Sequence, residues 1–267
     1  MIDKIADMLN HIYNENCMET MKRIPENYID IILTSPFYNT NKKAGKNKTL
    51  INTSLTGYPY IRYDTHVDNM TDEQYNVFTV KIFNSFNKIL KNNGVVIYNL
   101  NYGGNNREGM IKAIYAVITE TPFTIADIIC WKKHNATPNN CSPNKLTRIW
   151  EFVFVLCRKN EINTYYCNKK IKGYRKTGQA SYENIYNFIE ARNNDGVCPY
   201  NRATFSTDFC TQMLNIYAPK NAIVYDPFIG SGTTAVACKQ MGIKYLGSEI
   251  SEAQCQWAKE RINKLYA

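Results

Sequence analysis

Two short stretches, far apart in the chain, set polar, aromatic or glycine residues directly after apolar runs. The first is Leu33-Thr34-Ser35-Pro36-Phe37-Tyr38-Asn39, which follows the apolar run Tyr28-Ile29-Asp30-Ile31-Ile32. Proline locks its own φ and pushes Ser35 into an extended conformation. The Ser35 hydroxyl and the Pro36 carbonyl thereby become two pre-positioned acceptors. Such a pair suits an amino group on a flat ring, whose lone pair is delocalised and whose nitrogen reacts better when both hydrogens are held. Tyr38 can stack on such a ring, worth about 1–3 kcal/mol for a nucleic-acid base. Phe37 either walls the same pocket or packs beneath the loop, and packing is favoured because buried aromatics are usually core. The bland alternative for the whole stretch is an ordinary turn.

The second stretch is Asp226-Pro227-Phe228-Ile229-Gly230-Ser231-Gly232-Thr233-Thr234. It follows an apolar run, Ala222 to Tyr225, and precedes a helix expected over Thr234 to Met241, stopped by Gly242. Lys244 to Ser248 then reads as a strand with Glu249 at its carboxyl end, and a helix is expected from Ser251 to Asn263. Strand, glycine turn, helix, strand and acidic residue form the layout of a nucleoside-binding unit. Gly230 and Gly232 let the backbone turn sharply and approach a ligand. Glu249, about 20 residues after the loop begins, can accept two ribose hydroxyls. The loop is neither G-x-G-x-x-G nor a Walker loop, since Thr233-Thr234 follows Gly232, so a pyrophosphate ligand is the weaker reading. A tight structural turn is the bland one.

Other segments must hold these loops in place. Thr71 with Gln74 makes a capping box, and apolar residues at Tyr75, Phe78, Ile82, Phe86, Ile89 and Leu90 predict a helix ended by Asn93-Gly94. Val95 to Tyr98 reads as a strand, Arg107 to Thr119 as a helix, and Phe123 to Trp131 and Ile149 to Cys157 as strands. Helices alternating with apolar strands predict an α/β fold with a mainly parallel sheet covered on both faces. Both loops leave the carboxyl ends of strands, the edge where ligands bind in such sheets. Residues 40–69 are a long connection, and residues 160–200 are basic, aromatic and poor in aliphatics.

Composition narrows the classes further. The 267 residues are 44% hydrophobic and 21% charged, as in a globular protein, and no run approaches a membrane span. The amino-terminal residues resemble neither a signal nor a transit peptide. Nine scattered cysteines and three histidines lack zinc spacing, and a reducing cytoplasm with mostly buried thiols is expected. The net charge is +9, with basic runs at Lys42 to Lys48 and Lys169 to Lys176. They fit a polyanion partner or a merely solvated surface.

The DPFIGSGTT and TSPFYN stretches together resemble the DNA amino-methyltransferases, which act on cytosine N4 or adenine N6 from S-adenosylmethionine. The target motif lies near the amino end and the cofactor loop near the carboxyl end, as in the circularly permuted β group, and the likeness spans nearly the whole chain. It implies a Rossmann-like methyltransferase fold in prokaryotic or phage cytoplasm, acting on double-stranded DNA with no membrane partner. A homodimer and a companion restriction endonuclease stay open. The implied catalytic residues are Ser35, Pro36, Phe37 and Tyr38. The implied cofactor pocket takes in Asn16, Thr34, Ala203, Thr204, Phe205, Asp226, Pro227, Phe228, Gly230, Ser231, Gly232, Thr233, Thr234 and Glu249. Two positions depart from the family: Phe37 replaces its second proline, and Asn16 stands where an acidic residue often meets the adenine. The Asn16 amide oxygen can still accept a bond from the adenine amine.

The candidate DNA contacts are Lys42, Lys43, Lys46, Lys132, Lys133, Arg175 and Lys176, with no metal implied. Residues 1–159 and 201–267 form the expected catalytic domain, and residues 160–200 a small DNA-recognition lobe. Ser35, in place of aspartate, leans toward cytosine N4. The different-class alternative is a non-catalytic DNA- or RNA-binding protein on a methyltransferase scaffold. Cys198-Pro199 has the wrong order for a thiolate nucleophile and reads as structural, Trp131 reads as core, and His134 as a surface or DNA-backbone contact.

Overall fold

The predicted strands around the two loops lie side by side in one sheet. The computed structural model describes residues 7–39, 70–102, 106–136, 138, 143–196, 198, 201 and 204–266. In chain order the elements are β1 (His11–Tyr13), α1 (Cys17–Arg23), β2 (Ile29–Thr34), α2 (Asp72–Ile89), β3 (Leu90–Leu100), α3 (Gly109–Glu120), β4 (Phe123–Lys133) and β5 (Trp150–Arg158). Then come β6 (Ile171–Tyr174), β7 (Ala180–Tyr182), β8 (Phe188–Ala191), α4 (Thr207–Tyr217), β9 (Ile223–Asp226), α5 (Thr233–Gln240), β10 (Lys244–Ser248) and α6 (Glu252–Asn263).

Eight strands pair in the order β1-β10-β9-β2-β3-β5-β4-β8. All neighbours are parallel except those of β5, which runs antiparallel to β3 and β4. The last two strands of this sheet thus insert between β1 and β2, so that β2, β9 and β10 end at one edge. Strand periodicity sorts the core into two layers. Ile31, Leu33, Val95 and Ile97 face α4, α5 and α6 through Phe209, Met213, Val236 and Ala258. Ile32, Val96 and Tyr98 face α1, α2 and α3 through Met21, Phe83, Phe86 and Val117. Trp131 is 1% exposed and packs 4.5 Å from Phe209, as expected of a core residue. The eight described cysteines are free, and six are buried.

Helix α2 carries the expected capping box at Thr71 and Gln74. Its end differs from expectation, because the chain turns extended at Leu90. Asn93-Gly94 instead forms a bulge, where pairing jumps from Ile29–Leu90 to Ile31–Val95 and Asn93 takes φ 61°. A Cβ at Gly94 would sit 2.8 Å from the Asp30 carbonyl, so the close approach requires glycine.

Residues 160–200 divide between two structures. Strands β6 and β7 form a separate antiparallel hairpin, whereas β8 pairs with β4 in the main sheet and buries Ile189 and Ala191. Among the described residues no helix is long and apolar enough to cross a membrane.

Candidate active site

The carboxyl ends of β2 and β9 are fastened together by a buried carboxylate. Thr34 Oγ1 donates to Asp226 Oδ1 at 2.6 Å, and Thr234 Oγ1 donates to Asp226 Oδ2 at 2.6 Å. The Phe228 N–H adds a bond of 3.1 Å to Oδ1. Burial raises the Asp226 pKa to about 6 against these donors, which favour the ionised form. Thr34, Asp226 and Thr234 therefore support the glycine turn from beneath.

Above them the turn is held by Glu249, at the end of β10. Its Oε2 accepts from the Gly230 N–H at 2.9 Å and its Oε1 from the Ser251 N–H at 2.8 Å. Gly230 and Gly232 have φ of 51° and 83°, both in the left-handed region. A Cβ on Gly232 would also meet the Ala258 Cβ at 2.7 Å, so this glycine admits α6 against the start of α5.

The two loops open into one cavity of about 380 Å³. Ser35 and Phe37 line it from the first loop; Pro227, Phe228, Gly230, Ser231 and Thr233 line it from the second. Glu249, Asn16, Thr204 and Phe205 complete the predicted residues that line it. Asn16 uses its Oδ1 to cap α1, accepting from the Met18 N–H at 2.9 Å. Phe37 combines both weighed roles: its ring packs 5.4 Å from Tyr75 and 5.1 Å from Phe78 while also facing the cavity. Pro36 is buried. Ala203, Lys42, Lys43 and Lys46 lie outside the described residues.

Tyr38 is placed differently from its expected stacking position. It does not line the cavity, and its hydroxyl lies behind Ser35, 2.7 Å from Asn99 Oδ1 and 3.0 Å from Glu151 Oε2. Ser35 Oγ is 3.1 Å from the Tyr38 hydroxyl and 3.2 Å from Asn99 Oδ1. The Asn99 amide nitrogen donates to the Phe152 carbonyl at 3.0 Å and to Glu151 Oε2 at 3.3 Å. Its oxygen is thereby turned toward Ser35 and Tyr38.

Sequence reasoning missed Asn99 and Glu151. Their signal was a single polar residue within each of two apolar runs, Val95 to Leu100 and Trp150 to Cys157. Arg261 was missed as well: it donates to the Ser231 carbonyl at 3.4 Å and Thr233 Oγ1 at 2.9 Å while pairing with Asp195.

Two expected DNA contacts are engaged with carboxylates instead. Lys132 pairs with Glu190 at 2.7 Å and both side chains stay partly exposed, whereas Lys133 pairs with Glu151 and both side chains are mostly buried. His134 Nε2 lies 3.3 Å from Glu190, at the surface. Arg175 and Lys176 are exposed on the turn of the β6–β7 hairpin. Among the described residues no group of three or more His, Cys, Asp or Glu is placed to hold a metal ion.

A glycine turn and a serine-proline loop thus meet in one cavity over a doubly wound sheet. Residues 29–260 match the family model described as DNA methylase. The chain belongs to this family, the N6 and N4 amino-methyltransferases of DNA. It is 25% identical over 272 residues to the Type II methyltransferase M.HinfI of Haemophilus influenzae, covering 99% of this chain and 71% of the relative. It is 24% identical over 265 residues to M.BglII of Bacillus subtilis, covering 91% and 66% respectively.

Solved structures agree in fold. The PvuII DNA methyltransferase (cytosine-N4-specific) superposes with TM-score 0.67 at 15% identity, covering 96% of this chain and 90% of that one. The M1.HpyAVI–SAM complex superposes with TM-score 0.63 at 19% identity, covering 95% and 98%.

Proposed function

We propose that this DNA amino-methyltransferase moves the methyl group of S-adenosylmethionine to the exocyclic amine of a base flipped out of double-stranded DNA, with cytosine N4 favoured. The carrying observation is that Ser35 and Glu249, far apart in sequence, line one cavity. The cavity suits the cofactor. The Glu249 carboxylate, which accepts the Gly230 and Ser251 N–H groups, lines the cavity and is an acceptor of the kind that ribose hydroxyls require. Phe205, Phe228, Ile229 and Ile250 supply apolar walls for a purine. When bound, S-adenosylmethionine supplies a methyl group on a positively charged sulfur.

The chain's own residues then do the positioning. Ser35 accepts an amino hydrogen, and Phe37, rather than Tyr38, offers the ring beside the base. Alignment of acceptor and donor in one cavity provides much of the acceleration. Flipping costs a few kcal/mol, which DNA contacts must offset. The β6–β7 hairpin supports that role: Tyr174 is 71% exposed, beside Lys172, Arg175 and Lys176. A two-stranded ribbon fits the major groove. The Type II relatives favour a companion restriction endonuclease as a functional partner.

Incubation of the protein with DNA and labelled donor, followed by mass spectrometry of nucleosides, tests this reading. N4-methylcytosine is expected. N6-methyladenine would reassign the base, and no methylated nucleoside would overturn the proposal.

A further inference from the structure

Methylation of an amine leaves a proton to dispose of, and the oxygens behind Ser35 form a path for it. We propose that Ser35, Tyr38 and Glu151 are a proton exit from the acceptor amine, with Glu151 as its accepting end. This rests on the functional reading above.

Ser35 Oγ faces the cavity, and the Tyr38 hydroxyl lies 3.1 Å behind it. Glu151 Oε2 lies 3.0 Å beyond that hydroxyl, and neither Tyr38 nor Glu151 lines the cavity. Three oxygens thus lead in file from the site into the protein. Asn99 sets their polarity. Its amide N–H is bound to Phe152 and Glu151, so its oxygen accepts from Ser35 or Tyr38 and has no proton to hand on. Asn99 orients the chain, while the hydroxyl of Tyr38 is the member that can both take and give a proton. Lys133 compensates the Glu151 charge through the other carboxylate oxygen.

The step balances. As the new C–N bond forms, the methyl–sulfur bond of the donor breaks with its electron pair left on sulfur as a neutral thioether, and positive charge passes to the amine nitrogen. Its N–H bond breaks and a Ser35 O–H bond forms. The former Ser35 proton passes to the Tyr38 oxygen, and the former Tyr38 proton passes to Glu151 Oε2. The hydroxyls end as they began, and Glu151 ends protonated. A base amine is weakly basic because its lone pair is delocalised, so its methylated cation yields a proton readily to a carboxylate. Proton transfer of this kind contributes about 100-fold or more to rate.

Glu151→Gln preserves the acceptor for Tyr38 and Asn99 but cannot take the proton, and Tyr38→Phe removes the middle link while keeping Ser35 and Asn99. Single-turnover methyl transfer should fall about 100-fold in each. Donor and DNA affinity, measured by calorimetry and fluorescence anisotropy, should stay within about twofold, a split that lost packing would not give. Wild-type transfer should also slow in heavy water, and Tyr38→Phe should lose that sensitivity. Wild-type single-turnover rates in either variant, or rates that fall only in step with affinity, would overturn the relay alone. A wild-type protein that methylates no base would overturn the functional reading and the relay with it.

Discussion

Thr34 and Asp226 stand 192 residues apart in sequence and share a buried hydrogen bond of 2.6 Å. That bond joins the residue just before the Ser35-Pro36 pair to the first residue of the glycine loop. It fastens together the bases of the two loops that line the cavity. Thr34→Val keeps the shape and removes the donor, leaving one Asp226 oxygen with only the Phe228 N–H. Stability should fall by about 1.5–3 kcal/mol, as for a hydrogen bond to a charged group. Urea unfolding measures it, and an unchanged midpoint would contradict the assigned role.

Asp226 also makes stability depend on pH. Its folded pKa of about 6 lies above the ordinary 3.8, so the folded state holds this proton more tightly than the unfolded chain. The contribution is full below about pH 4 and is lost as pH rises through about 6. Two units at 1.36 kcal/mol each amount to roughly 3 kcal/mol. Asp226→Asn cannot ionise, so its unfolding free energy should fall less between pH 4 and 7 than that of the wild type. Parallel profiles would show that the carboxyl does not titrate in this window.

Gly232→Ala adds a Cβ against Ala258 at a φ of 83°. Strain and overpacking together should cost about 2–4 kcal/mol. A thermal melt within a degree of wild type would show that α6 has room to move.

Arg261 ties Ser231 and Thr233 of the glycine loop to Asp195. Arg261→Met should weaken S-adenosylmethionine binding roughly tenfold through loss of charged hydrogen bonds, leaving DNA affinity unchanged. Calorimetry with the donor and anisotropy with DNA separate the two effects.

On the DNA side, Arg175→Ala with Lys176→Ala should reduce the slope of log affinity against log salt by about 2. Lys132→Ala should leave the slope unchanged, because Lys132 is already paired with Glu190. Equal slopes for both variants would remove the hairpin from the interface.

Much of this site was legible before the structure, for a physical reason. The glycine loop and Lys244–Ser248 were readable because backbone geometry and burial constrain the residue types there, and the strand bounds agree to the residue. Other features depend on partners distant in sequence. Asn99 and Glu151 meet only because β3 and β5 pair antiparallel, with Asn99 opposite Val153 and Leu100 opposite Phe152. Lys132 and Lys133 looked like surface charge until strand pairing brought Glu190 and Glu151 to them, 58 and 18 residues away. Strand β8 has four residues, too few for a two-residue alternation to register against its basic surroundings. Asn93-Gly94 carries a strong turn signal, which sits in a bulge within β3 rather than at the end of α2.

The central claim is that donor and acceptor occupy separate sides of one cavity, with Ser35 on the acceptor side. Calorimetry and single-turnover kinetics on Ser35→Ala test it most directly. The account predicts a donor dissociation constant within about twofold of wild type and methyl transfer slowed by about 100-fold. Loss of donor binding in step with turnover would contradict it.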